Sequence, residues 1–312
     1  MIDKHTAPDT PREMSATSAI EHASADEHAT SAAHTSAFDP FVATLVIRFG
    51  YVGTHFCGYA AQNESVRSVE GCLTRALSTF LRRNITLTCA GRTDAGVHAH
   101  AQYVSFPITQ SELSISKHKI MSALSGLCPD DISIRTLYRA PLDFSARFSA
   151  CERSYTYRIA LGPLKPILTH EFVWWVKNIP HVCMDDMNEA GEYLTGEHNF
   201  KSFCKASSAQ LLEEQGLSLN RCLTSIKVSR DYIVGEQILR LDITGNAFLH
   251  NMVRIITASL LEVGRGARQP DWIQDVLRQQ TRTAAAMTAP AQGLTLEHVG
   301  YPAGLLVPWS NE

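Results

Sequence analysis

Apolar positions begin to recur densely at Phe41. Val42–Phe49 is rich in β-branched and aromatic residues and predicts a strand, and the glycines at 50, 53 and 58 predict a loop after it. Ser68 has the character of a helix N-cap; Val69, Cys72, Leu73, Ala76, Leu77 and Phe80 then fall on one face at helical spacing. Ile85–Cys89 predicts a short strand, Gly91–Gly96 a polar turn and Gln102–Phe106 a returning strand. A helix over about 116–126 and a strand from Ile132 to Tyr138 complete this half.

The second half repeats the alternation. Ser154–Leu161 predicts a strand with Tyr155 and Tyr157 on one face and Thr156 and Arg158 on the other. Asp185–Leu194 predicts a helix, and Leu223–Ser229 and Gln237–Thr244 predict paired strands with Leu239, Leu241 and Ile243 on one side. A helix is expected over about 248–263, ended by Gly264 as a C′ residue, then one from Pro270 to about Gln279 and a last strand over Leu294–Val299. Two strand–helix–strand halves imply an α+β architecture with a sheet on one side and helices on the other. The expected layout is an N-terminal half over 41–148, a C-terminal half over 149–302 and a short tail over 303–312.

Residues 1–40 read differently. In the first 38 residues, half are Ala, Ser or Thr, and six carboxylates face two basic side chains. Such a stretch buries too little surface to offset its ordering entropy, so it is expected to be a disordered extension. It has neither the apolar run of a secretory leader nor the Arg-rich character of a transit peptide. Composition of the whole chain, 312 residues with 45% apolar and 19% charged, is globular and excludes collagen-like, disulfide-scaffold and wholly disordered classes. A net charge of −3 argues against binding nucleic acid by bulk charge. The eight cysteines lie at least 15 positions apart, without a Cys-x-x-Cys pattern, and reduced thiols in a cytoplasmic protein are the simplest account. No stretch has the length and apolarity of a transmembrane helix.

Chemistry concentrates in Ala90–Gln102, a glycine-bracketed turn that lifts one carboxylate, Asp94, out of a sheet with Arg92 two residues away. One reading is an Asx-turn, in which Asp94 bonds its own backbone. Another is a metal-dependent hydrolase using Asp94, His98 and His100, although no third or fourth protein ligand stands at familiar spacing. A third separates from both once the wider pattern is considered. Gly91-Arg92-Thr93-Asp94-Ala95-Gly96-Val97-His98-Ala99 resembles the signature of the TruA family of tRNA pseudouridine synthases. Further segments resemble that family in the same order: Phe144–Ala150, Arg153–Tyr157, Gly196–Phe203, Asn246–Arg254 with Glu262–Gly264, and Ala291–Leu296. The resemblance spans about residues 41–302.

It implies the pseudouridine synthase fold, with two related halves whose sheets join and an active-site cleft between them. The implied reaction is cofactor-independent and metal-free isomerisation of uridine to pseudouridine in the anticodon stem-loop of tRNA, at positions 38, 39 and 40, by a homodimer. The family's aspartate maps onto Asp94, as nucleophile at C1′ or base at C2′. Either role needs the ionised form, and Arg254, expected on the same helix face as His250, is the candidate cation through a two-pronged grip. Tyr155 maps onto the tyrosine that packs on the target base, and Arg92 is expected at the site of the extruded nucleotide. RNA contacts are expected from Phe144, Ser145, Ala146, Arg147 and Phe148 and from Lys205, Ser207 and Ser208, with Lys201, Lys117, Lys119, Arg82 and Arg83 extending the track. Two segments depart from the family pattern: a long loop over Ala206–Asn220, and Leu161-Gly162-Pro163 after the tyrosine strand. A noncatalytic RNA-binding module remains the alternative from another class.

Overall fold

The computed structural model describes residues 39–62 and 65–310, so the expected disorder of the N-terminal extension lies, up to residue 38, outside the described residues. Among the described residues there are eleven strands: β1 (Phe41–Tyr51), β2 (Thr88–Cys89), β3 (His98–Thr109), β4 (Ile132–Ala140), β5 (Glu152–Leu161), β6 (Trp174–Val176), β7 (Gly196–Asn199), β8 (Asn220–Ile233), β9 (Glu236–Gly245), β10 (Leu294–Gly300) and β11 (Val307–Pro308). The helices are α1 (Val69–Leu81), α2 (Gln110–Leu113), α3 (Lys117–Leu127), α4 (Met184–Glu192), α5 (Ala206–Glu214), α6 (Met252–Gly264) and α7 (Trp272–Gln279). The architecture is α+β.

All strands join one sheet, in the order β11-β4-β1-β3-β10-β5-β9-β8-β7, with β2 on β3 and β6 on β5. β1 pairs antiparallel with both β3 and β4, and β5, β9 and β8 form an antiparallel run. The seam is β10. It pairs parallel with β3 at Thr295–His98 and Leu296–Ala99, and antiparallel with β5 opposite Tyr155 and Tyr157. The last long strand of the chain thus returns to the middle and joins the Tyr155 strand to the one that follows Asp94, lying between them.

Caps explain several boundaries. The Ser68 hydroxyl accepts from Gly71 N at 3.2 Å and starts α1, and Ser116 does the same for Lys119 N at 3.3 Å in α3. Several boundaries differ from the sequence expectation. The strand at 85–89 shrinks to β2, because only Thr88 and Cys89 pair with β3. The segment expected as a long loop at 206–220 contains α5; its Ala, Gln, Leu and Glu residues are good helix formers, and its Ala209 is buried.

The helix expected from 248 begins only at Met252, because Asn251 takes a left-handed conformation with φ 65°. At its other end, Gly264 is the last helical residue and not the left-handed cap. A Cβ there would lie 2.5 Å from Met187 Sδ, so any larger residue would displace the Met187 side chain of α4, while Gly266 takes the positive φ of 78°. Of the 13 residues of α6, only Arg254 and Glu262 are not buried. Its buried hydroxyls bond back one turn, Thr257 to Val253 O and Ser259 to Ile255 O.

Candidate active site

Asp94 stands on a turn pinned from several directions. Val97 N–H donates to Asp94 O at 3.1 Å, and Gly96, third in that turn, takes φ 79°, as a type II turn requires. Before it, Gln102 donates through its side chain to Gly91 O at 2.8 Å, and the buried Thr93 hydroxyl meets the Tyr51 hydroxyl at 2.7 Å. Tyr59 N–H donates to Thr93 O at 3.0 Å. The loop after β1 packs so closely beneath that a Cβ on Gly53 would lie 2.0 Å from Val97 O. These backbone ties leave the carboxylate free to point elsewhere, and it is not used in an Asx-turn: Asp94 Oδ2 lies 2.9 Å from Arg254 Nη1, 160 residues away.

Arg254 is the polar break in the first turn of an otherwise buried helix, so its cation needs a partner. The grip is not the two-pronged one expected from sequence. Nη1 donates to Asp94 Oδ2 and to Asn251 Oδ1, both at 2.9 Å, while Nε donates to Ala289 O at 2.7 Å. The guanidinium is divided among three acceptors because the 285–293 loop closes against α6. The second carboxylate oxygen, Oδ1, lies 3.3 Å from His250 Nε2. His250 precedes α6 and so reaches Asp94 from a turn, not from the shared helix face expected of it. Asp94 remains 29% exposed, Arg254 17% and His250 40%, so the carboxylate has a partner near each oxygen yet stays open to solvent.

Tyr155 lies on β5, buried, with its ring edge-on to Phe248 at 5.1 Å and its hydroxyl 4.0 Å from where a Gly91 Cβ would stand. Burial pushes its phenol up to about 12, with the Arg153 cation opposing and the Asp94 charge adding to the rise. The phenol is therefore neutral at physiological pH. Tyr157, fully buried, is a core residue: its hydroxyl donates to Pro290 O at 2.6 Å, and a Cβ on Gly293 would strike its ring at 2.6 Å. Arg92 is exposed, two residues before Asp94, with no hydrogen bond or ion pair among the described residues.

The expected RNA-facing passage divides. Phe144 and Ala146 are buried: Phe144 packs on Tyr301 at 5.3 Å, and Ala146 N–H donates to the Ser105 hydroxyl at 2.9 Å. The Ser145 hydroxyl accepts from Phe148 N at 3.3 Å. Outward-facing chemistry in this passage is thus Arg147 and Phe148, the guanidinium 5.2 Å from the centre of a ring that is 81% exposed. Lys205 and Ser207 are exposed at the start of α5, whereas the Ser208 hydroxyl is 2.8 Å from His250 Nδ1. Lys201 pairs with Glu213 at 2.7 Å and Arg83 with Glu112 at 2.6 Å.

His98 and His100 do not form a site together. The buried His98 Nδ1 accepts from Gly53 N–H at 3.1 Å, which leaves Nε2–H to donate to Glu171 O at 3.2 Å; burial lowers its pKa. His100 is exposed and faces Glu297 at 3.5 Å. Among the described residues, no group of three or more His, Cys, Asp or Glu is arranged to hold a metal ion. A concavity of about 420 Å³ lined by Val42, Gln110, Leu113, Arg139 and Val307 lies at the β4–β11 edge of the sheet, away from Asp94.

Three residues gained no role from sequence alone. Besides His250, Asn251 orients Arg254, and its tolerance of left-handed backbone is the one signal it carried. Arg153 donates to Ala90 O (3.0 Å), Arg147 O (2.8 Å), Ala150 O (3.2 Å) and Asn246 O (2.7 Å), tying together the segments that lead to Asp94, Phe148 and Arg254. An arginine on a strand gives no sequence sign of such a hub.

With this geometry in view, comparison with known proteins identifies the class. A family model described as tRNA pseudouridine synthase matches residues 49–149 and 190–302, and the chain belongs to that family of isomerases. The matched ranges hold Asp94 and Arg254. Among its relatives is the tRNA pseudouridine synthase A of Vibrio cholerae serotype O1, 40% identical over 266 residues, covering 85% of this chain and 94% of the relative. The enzyme of the same name from Streptomyces avermitilis is 37% identical over 269 residues, 84% of this chain and 89% of the relative. That of Anoxybacillus flavithermus is 38% identical over 253 residues, 80% and 96% respectively.

Proposed function

We propose that this chain converts uridine to pseudouridine in the anticodon stem-loop of tRNA, at positions 38, 39 and 40, with Asp94 as the reacting carboxylate. The observation that carries the reading is the setting of Asp94: Oδ2 bonded to Arg254 at 2.9 Å and Oδ1 3.3 Å from His250 Nε2, on a side chain still open to solvent. A carboxylate so aimed is preorganised for a reaction at a sugar carbon.

Uridine inside a stacked helix hides C1′ and C5, so the nucleotide must leave the stack. Arg92, exposed beside Asp94, suits the space it vacates, and Tyr155 offers a ring face to the uracil. The C1′–N1 bond then breaks. Asp94 Oδ either bonds C1′ or removes the C2′ proton, and the freed uracil turns. As C5 bonds C1′, the Asp94–C1′ bond breaks or, on the other route, the proton returns to C2′, so the carboxylate is regenerated. The C5 proton leaves and N1 gains one, so composition is unchanged and no cofactor or metal is consumed. Because the Tyr155 phenol is neutral, its contribution is packing and a hydroxyl, not a standing phenolate. The enzyme works as a cytoplasmic homodimer in this reading. No helix among the described residues is long and apolar enough to cross a membrane.

Tritium at C5 of uridine reports the reaction directly. Purified chain incubated with C5-tritiated tRNA is expected to release tritium to water at a rate unaltered by chelator. Binding without release would replace the proposal by a noncatalytic RNA-binding module, and loss of release on chelation would point to a metal-dependent enzyme.

Grip on the tRNA backbone is assigned to Arg147 with Phe148, and to Lys205 with Ser207. Arg147→Ala is expected to weaken tRNA binding and to reduce the slope of log affinity against log salt by about 1, as loss of one phosphate contact does. Filter binding across a salt series measures both. An unchanged slope would remove Arg147 from the interface.

A further inference from the structure

We infer that His250 is a positioning residue for Asp94, and that it couples the carboxylate to the first turn of α5, where Lys205 and Ser207 are exposed. The inference rests on the proposed function, since it assigns a role within the same site.

The need for a second anchor follows from how Arg254 is shared. Only Nη1 reaches Asp94, and that same nitrogen also serves Asn251 Oδ1. The terminal torsion of an aspartate is broad and roughly two-fold, so one contact on Oδ2 does not set the plane of the carboxylate. His250 Nε2, 3.3 Å from Oδ1, supplies the other point.

His250 is itself held at both ends. Its carbonyl accepts from Lys205 N–H at 3.0 Å, and its Nδ1 lies 2.8 Å from the Ser208 hydroxyl. For Nε2 to carry the hydrogen that faces Asp94, a neutral ring must leave Nδ1 as acceptor, and the Ser208 O–H is then the donor. The acceptor-only carboxylate favours that tautomer, and Ser208, whose hydroxyl can donate or accept, holds the ring from its other nitrogen. That contact also explains why Ser208, expected from sequence to contact RNA, turns inward while Ser207 stays exposed. Lys205 and Ser208 flank one turn of backbone, so a phosphate gripped at Lys205 bears on the segment that aims the carboxylate. Binding of the substrate backbone and alignment of Asp94 are joined through one side chain.

The test uses the full chain in single-turnover tritium release with enzyme in excess, which separates the rate on bound tRNA from the half-saturating concentration. His250→Leu is expected to lower the rate about 10- to 100-fold, the effect of a misaligned reacting group, with half-saturation little changed. His250→Gln, which keeps an N–H donor near the Nε2 position, is expected to recover most of the rate. Ser208→Ala should lose part of it, and adding Ser208→Ala to His250→Leu should cost nothing further, because the serine acts through the histidine. A wild-type rate in His250→Leu, a change in half-saturation alone, or failure of glutamine to rescue would each overturn the inference. Should His250→Leu fold poorly, Ser208→Ala decides: an unchanged rate refutes the coupling. Wild-type enzyme that releases no tritium would instead refute the proposed function, so the two failures are distinct.

Discussion

Asp94→Ala is expected to lower tritium release from C5-labelled tRNA by on the order of a thousandfold or more, a loss of at least about 4 kcal/mol of transition-state stabilisation. A group that bonds the reacting carbon, or takes its neighbour's proton, leaves nothing to replace it. The turn itself should survive. Its ties run through backbone and through other side chains: Val97 N to Asp94 O, Tyr59 N to Thr93 O, and Tyr51 to Thr93. Arg254 would lose one acceptor and keep Ala289 O and Asn251 Oδ1. Binding of tRNA is therefore expected to persist, and a filter-binding measurement beside the release assay separates lost chemistry from lost fold. Asp94→Asn, which keeps shape and an acceptor for Arg254 but not the charge, should be nearly as slow. Release within tenfold of wild type in both variants would exclude Asp94 as the reacting group.

Arg254→Lys should reduce turnover of bound tRNA about a hundredfold while leaving tRNA affinity nearly intact. The guanidinium spans Asp94, Asn251 and Ala289 with two nitrogens, and a single ammonium has no second donor at the position of Nε. Two losses follow. The carboxylate loses a fixed cation at a defined angle, and the 285–293 loop loses the bond to Ala289 O that holds it against α6. The second loss should also appear as about 1 kcal/mol of stability, the net worth of one such hydrogen bond, in a urea titration. Unchanged single-turnover kinetics would take Arg254 out of the mechanism and leave it a structural role.

Much of this site could be read along the chain, and the failures have common causes. The glycine-bracketed turn, the Ser68 cap and the apolar face of α1 are local patterns, set by contacts within about four residues, and they stand where spacing put them. Arg254 is legible in the sequence because a cation amid Met252, Val253, Ile255 and Ile256 is costly unless paired. The manner of its pairing was not legible, since Ala289 and Asn251 compete for the same guanidinium only after the 285–293 loop has docked. Phe144 and Ala146 fell within a block that resembles the family as a whole, and such a block does not tell inward from outward side chains. Gly264 illustrates the same limit. Its position at a helix end suggested a left-handed cap, but the reason for glycine is Met187, on a helix far away in the chain.

Residue order along this chain, then, fixes which groups are present and the short-range geometry around each: a carboxylate lifted on a tight turn, a tyrosine on a strand, an arginine in an apolar helix. Caps, turn residues and side-chain periodicity act through neighbours a few positions apart, so they are visible without a fold. The meeting of Asp94 with Arg254 across 160 residues is of another kind, as is the reach of His250 to the second oxygen. Those distances depend on β10 entering between β3 and β5 and on the angle at which α6 leaves Asn251, both products of long-range register and packing that no local pattern encodes.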